Sequence, residues 1–254
     1  AKVDSLRFGI ASCQHYEQGF FNAYADMVEQ DPDLIIHLGD YIYEYGVDGY
    51  GGQTSKALGR QHEPTHETLT LKDYRQRHAQ YKSDPGSQAV HAAHPFINIW
   101  DDHETTNDSW QGGAENHQDN EGDWEARKQA AMRAYYEWMS IREPERGQAR
   151  ETLLRNFDYG DLLSLVTVET RLTARAEPII LENHVAAIEA DPEAFKRDVL
   201  GDDPRLLDIR PIDRFVERLE NSPPAQRIAV IGGGAGGVEL AFALRNRSAT
   251  QPEV

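Results

Sequence analysis

Cysteine is almost missing from this chain, which has a single one, Cys13, among its 254 residues. One cysteine excludes an intrachain disulfide framework and a zinc site built from several cysteines. Long apolar runs are missing as well, because none approaches the roughly 18 residues that would span a bilayer. The N-terminal residues also lack the pattern of a signal peptide. We therefore expect no membrane-spanning segment.

Basic residues are few relative to acidic ones: the chain has 26 basic and 43 acidic residues, which gives a formal net charge of −17. A negative field of this size repels phosphate backbones, so we expect no general nucleic-acid-binding surface. The same excess of carboxylates suits bound cations. The hydrophobic content of 39% is ordinary for a globular chain.

The distribution of unusual residues divides the chain into two segments. All four tryptophans and all eleven tyrosines lie at or before Tyr159, and nine of the ten histidines lie at or before His117. After about residue 175 the chain consists mainly of alanine, glutamate, arginine, leucine and proline. We predict one domain over residues 1–200 and a separate segment over residues 205–254.

Three short apolar runs, at residues 6–11, 33–38 and 95–100, have the composition of buried strands. Helical spacing at residues 20–29 predicts a strand–helix–strand unit with a parallel pair. The remaining predictions are helices at 71–81 and 124–139, a long loop at 46–70, and a hairpin of residues 153–157 and 162–168. This order of elements indicates a mixed α/β (α+β) fold.

The residues whose side chains could bind a metal or take part in catalysis follow these strands. Cys13 comes after the first strand, Asp40 after the second, and the run Asp101-Asp102-His103-Glu104 after the third. Because ligands bind at the carboxyl ends of parallel strands, we expect a thiol, several carboxylates and an imidazole to meet in one cleft.

The segment after the second strand, Gly39-Asp40-Tyr41-Ile42-Tyr43-Glu44, allows a metal site. Asp40 could bridge two ions, Tyr43 could bind a hard trivalent ion as phenolate, and Cys13 could add a softer thiolate ligand. The structural alternatives are a packed loop aromatic for Tyr43, a small buried hydrophobe for Cys13 and a helix cap for Asp40.

The adjacent acids Asp101 and Asp102 repel each other unless a cation or hydrogen-bond donors compensate. The alternative is a solvated acidic loop with a capping aspartate. A metal site better explains why His103 and Asn107 accompany the acids. His103 could then donate a proton to a leaving alkoxide or stabilise charge in the transition state.

Several stretches resemble, in order, those of the alkaline phosphatase D family of metallophosphatases. They are FGIASCQHYEQGFF, DLIIHLGDYIYE, YRQRHAQYKSDP, PFINIWDDHETTNDSW, RKQAAMRAYYEWMSIREP and the hairpin RNFDYGDLLSLVTVETR, which together cover about residues 6–175. The resemblance implies a metallophosphoesterase-like core of layered β-sheets flanked by helices. It also implies hydrolysis of small phosphate monoesters or diesters by an exported protein, located outside the cell or in the periplasm.

The same resemblance implies a centre of ferric iron, Fe(III), with calcium, Ca(II). The implied iron ligands are Cys13, Asp40 and Tyr43, with Asp40 bridging to calcium. Asp102 and Asn107 are the implied calcium ligands, although the choice between Asp101 and Asp102 is open. His103 and Asp40 are the implied catalytic residues.

Two departures from that family pattern concern the ends of the sequence. The N-terminal β-domain and export signal of the family have no counterpart in these 254 residues. The family also supplies an Asp-x-His type motif near the end of its catalytic domain, and no such motif follows residue 175, where His184 stands alone. The resemblance therefore predicts an incomplete centre, with activity reduced or absent.

The final segment carries a different pattern. A buried-strand run at 227–231 is followed by Gly232, Gly234 and Gly237 in a G-x-G-x-x-G motif and by an apolar helix at 238–244. With the run RPIDRF at 210–215, this segment resembles part of the nucleotide-binding domain of pyridine nucleotide-disulphide oxidoreductases.

This Rossmann-like βα unit stops before the strand that would carry the acid for the ribose, so we expect no binding of FAD or NAD. The structural alternative is a unit that adds a strand to the main sheet or is only loosely attached. The rival functions are an FAD- or NAD-binding oxidoreductase fragment and a non-catalytic hybrid.

Overall fold

The computed structural model describes residues 4–178, 189–191 and 194, and every structural statement below concerns that part of the chain. The predicted sites at Gly232, Gly234 and Gly237, with His184, lie outside the described residues. Within the described part, no helix has both the length and the apolar character needed to cross a membrane.

A three-stranded parallel sheet forms the centre of the fold. Its strands are β1 (Phe8–Ala11), β2 (Leu34–His37) and β3 (Phe96–Asn98), in the order β1-β2-β3. All four residues of β2 are buried, which explains its unbroken apolar sequence. The three predicted strands are confirmed, each a few residues shorter than its apolar run.

Helices connect these strands. Helix α1 (Asn22–Gln30) joins β1 to β2, and α2 (Gly52–Leu58), α3 (Leu71–Ser83) and α4 (Pro85–Ala93) lie between β2 and β3. Thr70 caps α3 by accepting a hydrogen bond from the backbone of Asp73, and Asp84 caps α4.

The predicted long loop at 46–70 is wrong over α2. This helix has no apolar period, and the side chain of Ser55 is buried where it donates to the carbonyl of Gly52. The helix packs against the short helical turn Tyr16–Gln18, so tertiary contacts outweigh its weak helix propensity. Helix α4 was also not predicted.

The core lies on both sides of the sheet. On one face Ile35 packs with side chains of α1 and α4, namely Tyr24 and Val90. On the other face Leu34 and Ile36 pack with the antiparallel hairpin of β4 (Arg155–Tyr159) and β5 (Leu163–Thr167). This hairpin is confirmed, with its first strand two residues later than predicted. A third cluster fills the space between α3 and α5 (Trp124–Trp138).

Candidate metal centre

The loops that follow β1, β2 and β3 approach one another closely at the carboxyl edge of the sheet. The amide of Cys13 donates to the carbonyl of Gly39 at 3.1 Å, and the amide of Gln14 donates to the carbonyl of Asp40 at 3.1 Å. Gly39 has a φ of +109°, and a Cβ atom there would lie 2.3 Å from the backbone nitrogen of Asp101. Only glycine allows this approach.

Asp40 is where three candidate ligands meet. Its Oδ2 atom lies 3.3 Å from the Sγ of Cys13 and 3.3 Å from the hydroxyl of Tyr43. Its Oδ1 atom is buried and accepts no hydrogen bond. A buried carboxylate oxygen without a donor is costly, which indicates that another positive partner belongs there.

Asp102 and His103 bring the third loop to the same place. Asp40, Asp102 and His103 each offer one ligand atom, and these atoms all lie within 4.8 Å of one another. Water reaches little of them, since Asp40 and Asp102 are 7% and 6% exposed and the side chain of His103 is 12% exposed. The structure therefore brings together Cys13, Asp40, Tyr43, Asp102 and His103.

The two adjacent acids have different surroundings. Asp101 faces Arg171, whose Nε donates to Oδ1 at 2.6 Å and whose Nη2 donates to Oδ2 at 3.1 Å. Asp102 accepts a hydrogen bond from the amide of Asp108 at 2.6 Å, and its Oδ1 lies 3.5 Å from Arg171. Arg171 holds both oxygens of Asp101, and Asp102 is the acid of the pair that offers a ligand atom within 4.8 Å of one on Asp40.

His103 is held by a glutamate. Its Nδ1 lies 2.7 Å from Oε2 of Glu44, and its ring stacks on that of Tyr43 with 4.2 Å between centroids. Burial alone would lower the pKa of His103, but the hydrogen bond to Glu44 and the negative charges of Glu44, Asp102 and Asp40 raise that pKa to about 9. The ring is therefore protonated at neutral pH.

Asn107 lies near this group without a hydrogen bond to either aspartate among the described contacts. Its side-chain amide donates to Glu115 at 2.8 Å, and its backbone amide donates to Glu44 at 2.8 Å. Glu44 therefore positions Asn107 as well as His103.

The anionic forms of the grouped side chains are disfavoured when no cation is present. Burial raises the pKa of Asp40 to about 6; His103 opposes the rise, and Asp102 and Asp101 add to it. Burial raises the pKa of the Tyr43 phenol, and partial burial raises that of the Cys13 thiol, although Cys13 is an exposed residue and not the buried hydrophobe of the structural alternative; the charge of Asp40 contributes in both cases.

The residues present fit a metal ion. The unpartnered Oδ1 of Asp40 offers a free ligand atom, and a cation would reverse the three pKa shifts, since a coordinated thiol loses its proton outright. Carboxylates and a phenol suit a hard ion, whereas a thiolate adds a softer ligand. Asp40 and Asp102 each supply one carboxylate oxygen, and these oxygens lie within 4.8 Å of each other.

Sequence reasoning assigned no role to three residues that shape this site. Arg171 balances the acids, Glu104 accepts from the amides of both loops, and Glu44 accepts from the loop after β3. Each lies inside a stretch that resembles the family, yet no periodicity distinguishes it. The only available signal for Arg171 was the need for a cation beside paired acids.

Comparison with known proteins identifies the family of this chain. The family model for PhoD-like phosphatase matches residues 8–207. Alkaline phosphatase D of Bacillus subtilis (strain 168) is 43% identical over 172 residues, which are 67% of this chain and 29% of that protein. A solved structure described as "Structure of PhoD" has 42% identity and a TM-score of 0.60, and the match covers 68% of this chain and 33% of that one.

The fold and the matched family define the class of this chain as a phosphatase-type hydrolase. The chain belongs to the PhoD-like phosphatase family. It spans about a third of the length of the relatives named above. The resemblance to the alkaline phosphatase D family and the predicted class of mixed sheets and helices are confirmed.

Proposed function

We propose that this chain carries the metal centre of a metal-dependent phosphoric ester hydrolase that acts on small phosphate monoesters or diesters. The observation that carries the proposal is the meeting of Cys13, Tyr43 and Asp102 around Asp40, whose Oδ1 atom has no other partner. Family membership supports the same reaction class.

The proposed ions are Fe(III) and Ca(II). Cys13, Asp40 and Tyr43 would hold the iron, because a phenolate and a carboxylate are hard donors and the thiolate is charged. Asp40 would bridge to calcium, with Asp102 and Asn107 on that side. When bound, such ions polarise phosphoryl oxygens and lower the pKa of water, which is the chemistry that ester hydrolysis needs.

His103 is the proposed proton donor. Against the effect of burial, the hydrogen bond and the charge of Glu44 raise the pKa of His103 and favour the protonated ring, and its Nδ1 is engaged by Glu44. Its Nε2 is therefore the atom that can donate to a leaving alkoxide or stabilise transition-state charge. Tyr43, stacked on the imidazole at 4.2 Å, holds the ring in one orientation.

We propose further that the residues in this sequence form only part of the family's centre. The sequence contains no Asp-x-His motif after residue 175. Metal binding with reduced or absent turnover is the expected result. An extracellular or periplasmic location is also proposed, and it rests on the family resemblance alone.

Metal content, visible absorbance and hydrolysis, measured on one preparation, test the proposal. We expect bound iron or calcium, an absorbance band from tyrosinate bound to iron, and loss of both in Asp40→Ala. A wild-type protein that holds no more metal than Asp40→Ala rules the centre out. Hydrolysis of a chromogenic phosphate ester that Asp40→Ala abolishes would show catalysis, whereas metal binding without hydrolysis would identify a non-catalytic remnant.

A further inference from the structure

Glu104 joins the two loops that carry the candidate ligands Asp40 and Asp102. It lies on the loop after β3 and its side chain is fully buried. Its Oε1 accepts a hydrogen bond from the amide of Tyr41 at 2.7 Å, and its Oε2 accepts one from the amide of Asp101 at 3.0 Å. Tyr41 follows Asp40 and Asp101 precedes Asp102, so one carboxylate fixes the backbone beside each acid.

Glu44 makes the reciprocal connection from the loop after β2. It is also fully buried, and it accepts hydrogen bonds only from the other loop and its continuation. The donors are His103 Nδ1 at 2.7 Å, the Asn107 amide at 2.8 Å, Asn116 Nδ2 at 2.9 Å and Thr106 Oγ1 at 3.1 Å. Each of the two loops thus provides one glutamate that accepts hydrogen bonds from donors in the other loop.

Loop packing alone does not require such charges at this place. A buried carboxyl group is costly unless it is hydrogen-bonded, and two more acids beside Asp40 and Asp102 add to that cost, since burial, with the charge of Asp40, raises the pKa of Glu104 to about 8. What this arrangement adds is a fixed geometry, because the short hydrogen bonds to Glu104 and Glu44 hold backbone amides of both loops in place. These hydrogen bonds fix the separation of Asp40 from Asp102 and the orientation of His103.

We infer that Glu44 and Glu104 are positioning residues, which hold the two loops at the separation where Asp40 and Asp102 share a cation. The inference rests on the proposed function, because it assumes the metal centre. Neither glutamate binds the ion. Both act on metal affinity through the backbone and side chains that they hold.

Calcium affinity, measured by competition with a chelating dye, tests the role of Glu104. Glu104→Gln keeps the volume and one acceptor, and we expect it to weaken binding about 10- to 100-fold. The matched control is Glu17→Gln, since Glu17 is equally buried and accepts a hydrogen bond from the amide of His62 at 2.9 Å. We expect that control to lose thermal stability in chelator but to bind calcium as the wild type does. Equal affinities in the two variants overturn the inference.

Hydrogen exchange of the metal-free protein provides a readout that does not depend on metal. We expect faster exchange at the amides of Tyr41 and Asp101 in Glu104→Gln, and at the amide of Asn107 in Glu44→Gln, with the rest of the sheet unchanged. If the wild type binds no metal, the proposed centre is wrong and exchange alone decides whether the glutamates hold the loops. Unchanged exchange at these three amides overturns that role.

Discussion

Lys82 on α3 should destabilise the folded protein at neutral pH. Its Nζ lies 3.0 Å from Nε2 of His91 and 4.6 Å from the centre of the Tyr41 ring. Burial lowers the pKa of Lys82 from 10.5 to about 8. The imidazoles packed near this amine, His78 and His91, have pKa values lowered to about 3, chiefly by burial and also by the charge of Lys82, so they stay neutral above pH 7.

The size of the effect follows from that lowered pKa. The fall from 10.5 to about 8 corresponds to about 3 kcal/mol, because a tenfold change in a proton-binding constant is worth about 1.4 kcal/mol. The lost hydrogen bond to His91 offsets about 1 kcal/mol. We therefore expect Lys82→Met to raise the free energy of unfolding by about 2 kcal/mol at pH 7.

The sign of the pH dependence is fixed as well. Between pH 8 and 10.5 the unfolded chain keeps its proton on Lys82 while the folded chain has lost it, so this lysine contributes more stability as the pH rises. The advantage of Lys82→Met should therefore shrink across that range. Buried tyrosines such as Tyr24 and Tyr81, whose pKa values burial raises, act in the opposite direction, but equally in both proteins.

Urea unfolding in chelator at pH 7, 8.5 and 10 measures this difference. The control is Lys56→Met, because the side chain of Lys56 is 59% exposed and pairs only at 3.6 Å with Asp48. That control should change the free energy of unfolding by no more than about 0.5 kcal/mol. A gain in Lys82→Met that is absent at pH 7, or that stays constant up to pH 10, refutes the reasoning.

Three further substitutions test the site and the core. His103→Gln should lower any hydrolytic rate about 10²- to 10⁴-fold, as steady-state kinetics at matched metal content would show; an unchanged rate contradicts its role as proton donor. Ile35→Ala, in a fully buried position of β2, should cost about 2–5 kcal/mol in urea unfolding, and a loss below about 1 kcal/mol would place Ile35 outside the core. Gly39→Ala should weaken calcium binding in dye competition, because its Cβ would lie 2.3 Å from the Asp101 nitrogen; wild-type affinity would mean that the loops are farther apart.

The convergence of the strand ends was accessible from the sequence because it depends on one general rule. Apolar runs identify buried strands, parallel strands end at one edge, and the residues that follow them must meet there. Cys13, Asp40 and the pair Asp101-Asp102 could therefore be grouped from the sequence alone. The choice of Asp102 over Asp101 could not be made, since it depends on the position of Arg171, which is 70 residues away from Asp101 in the chain.

The parts that sequence reasoning missed are those that tertiary contacts determine. Helix α2 has weak helical propensity and is held by its neighbours, and α4 is short and starts directly after α3. The roles of Glu44 and Glu104 also depend on donors 60 or more residues distant, such as the amides of Asn107 and Tyr41. No local pattern distinguishes such a buried glutamate from a solvated one.

Cys13 and Asp40 have φ angles of 54° and 55°, in the left-handed region that glycine or asparagine occupies with less strain. Laboratory evolution that rewards only heat resistance would therefore favour replacing these two residues early, and would remove the thiol and the bridging acid while the fold improved. A screen on this scaffold needs a selection for metal retention from its first round.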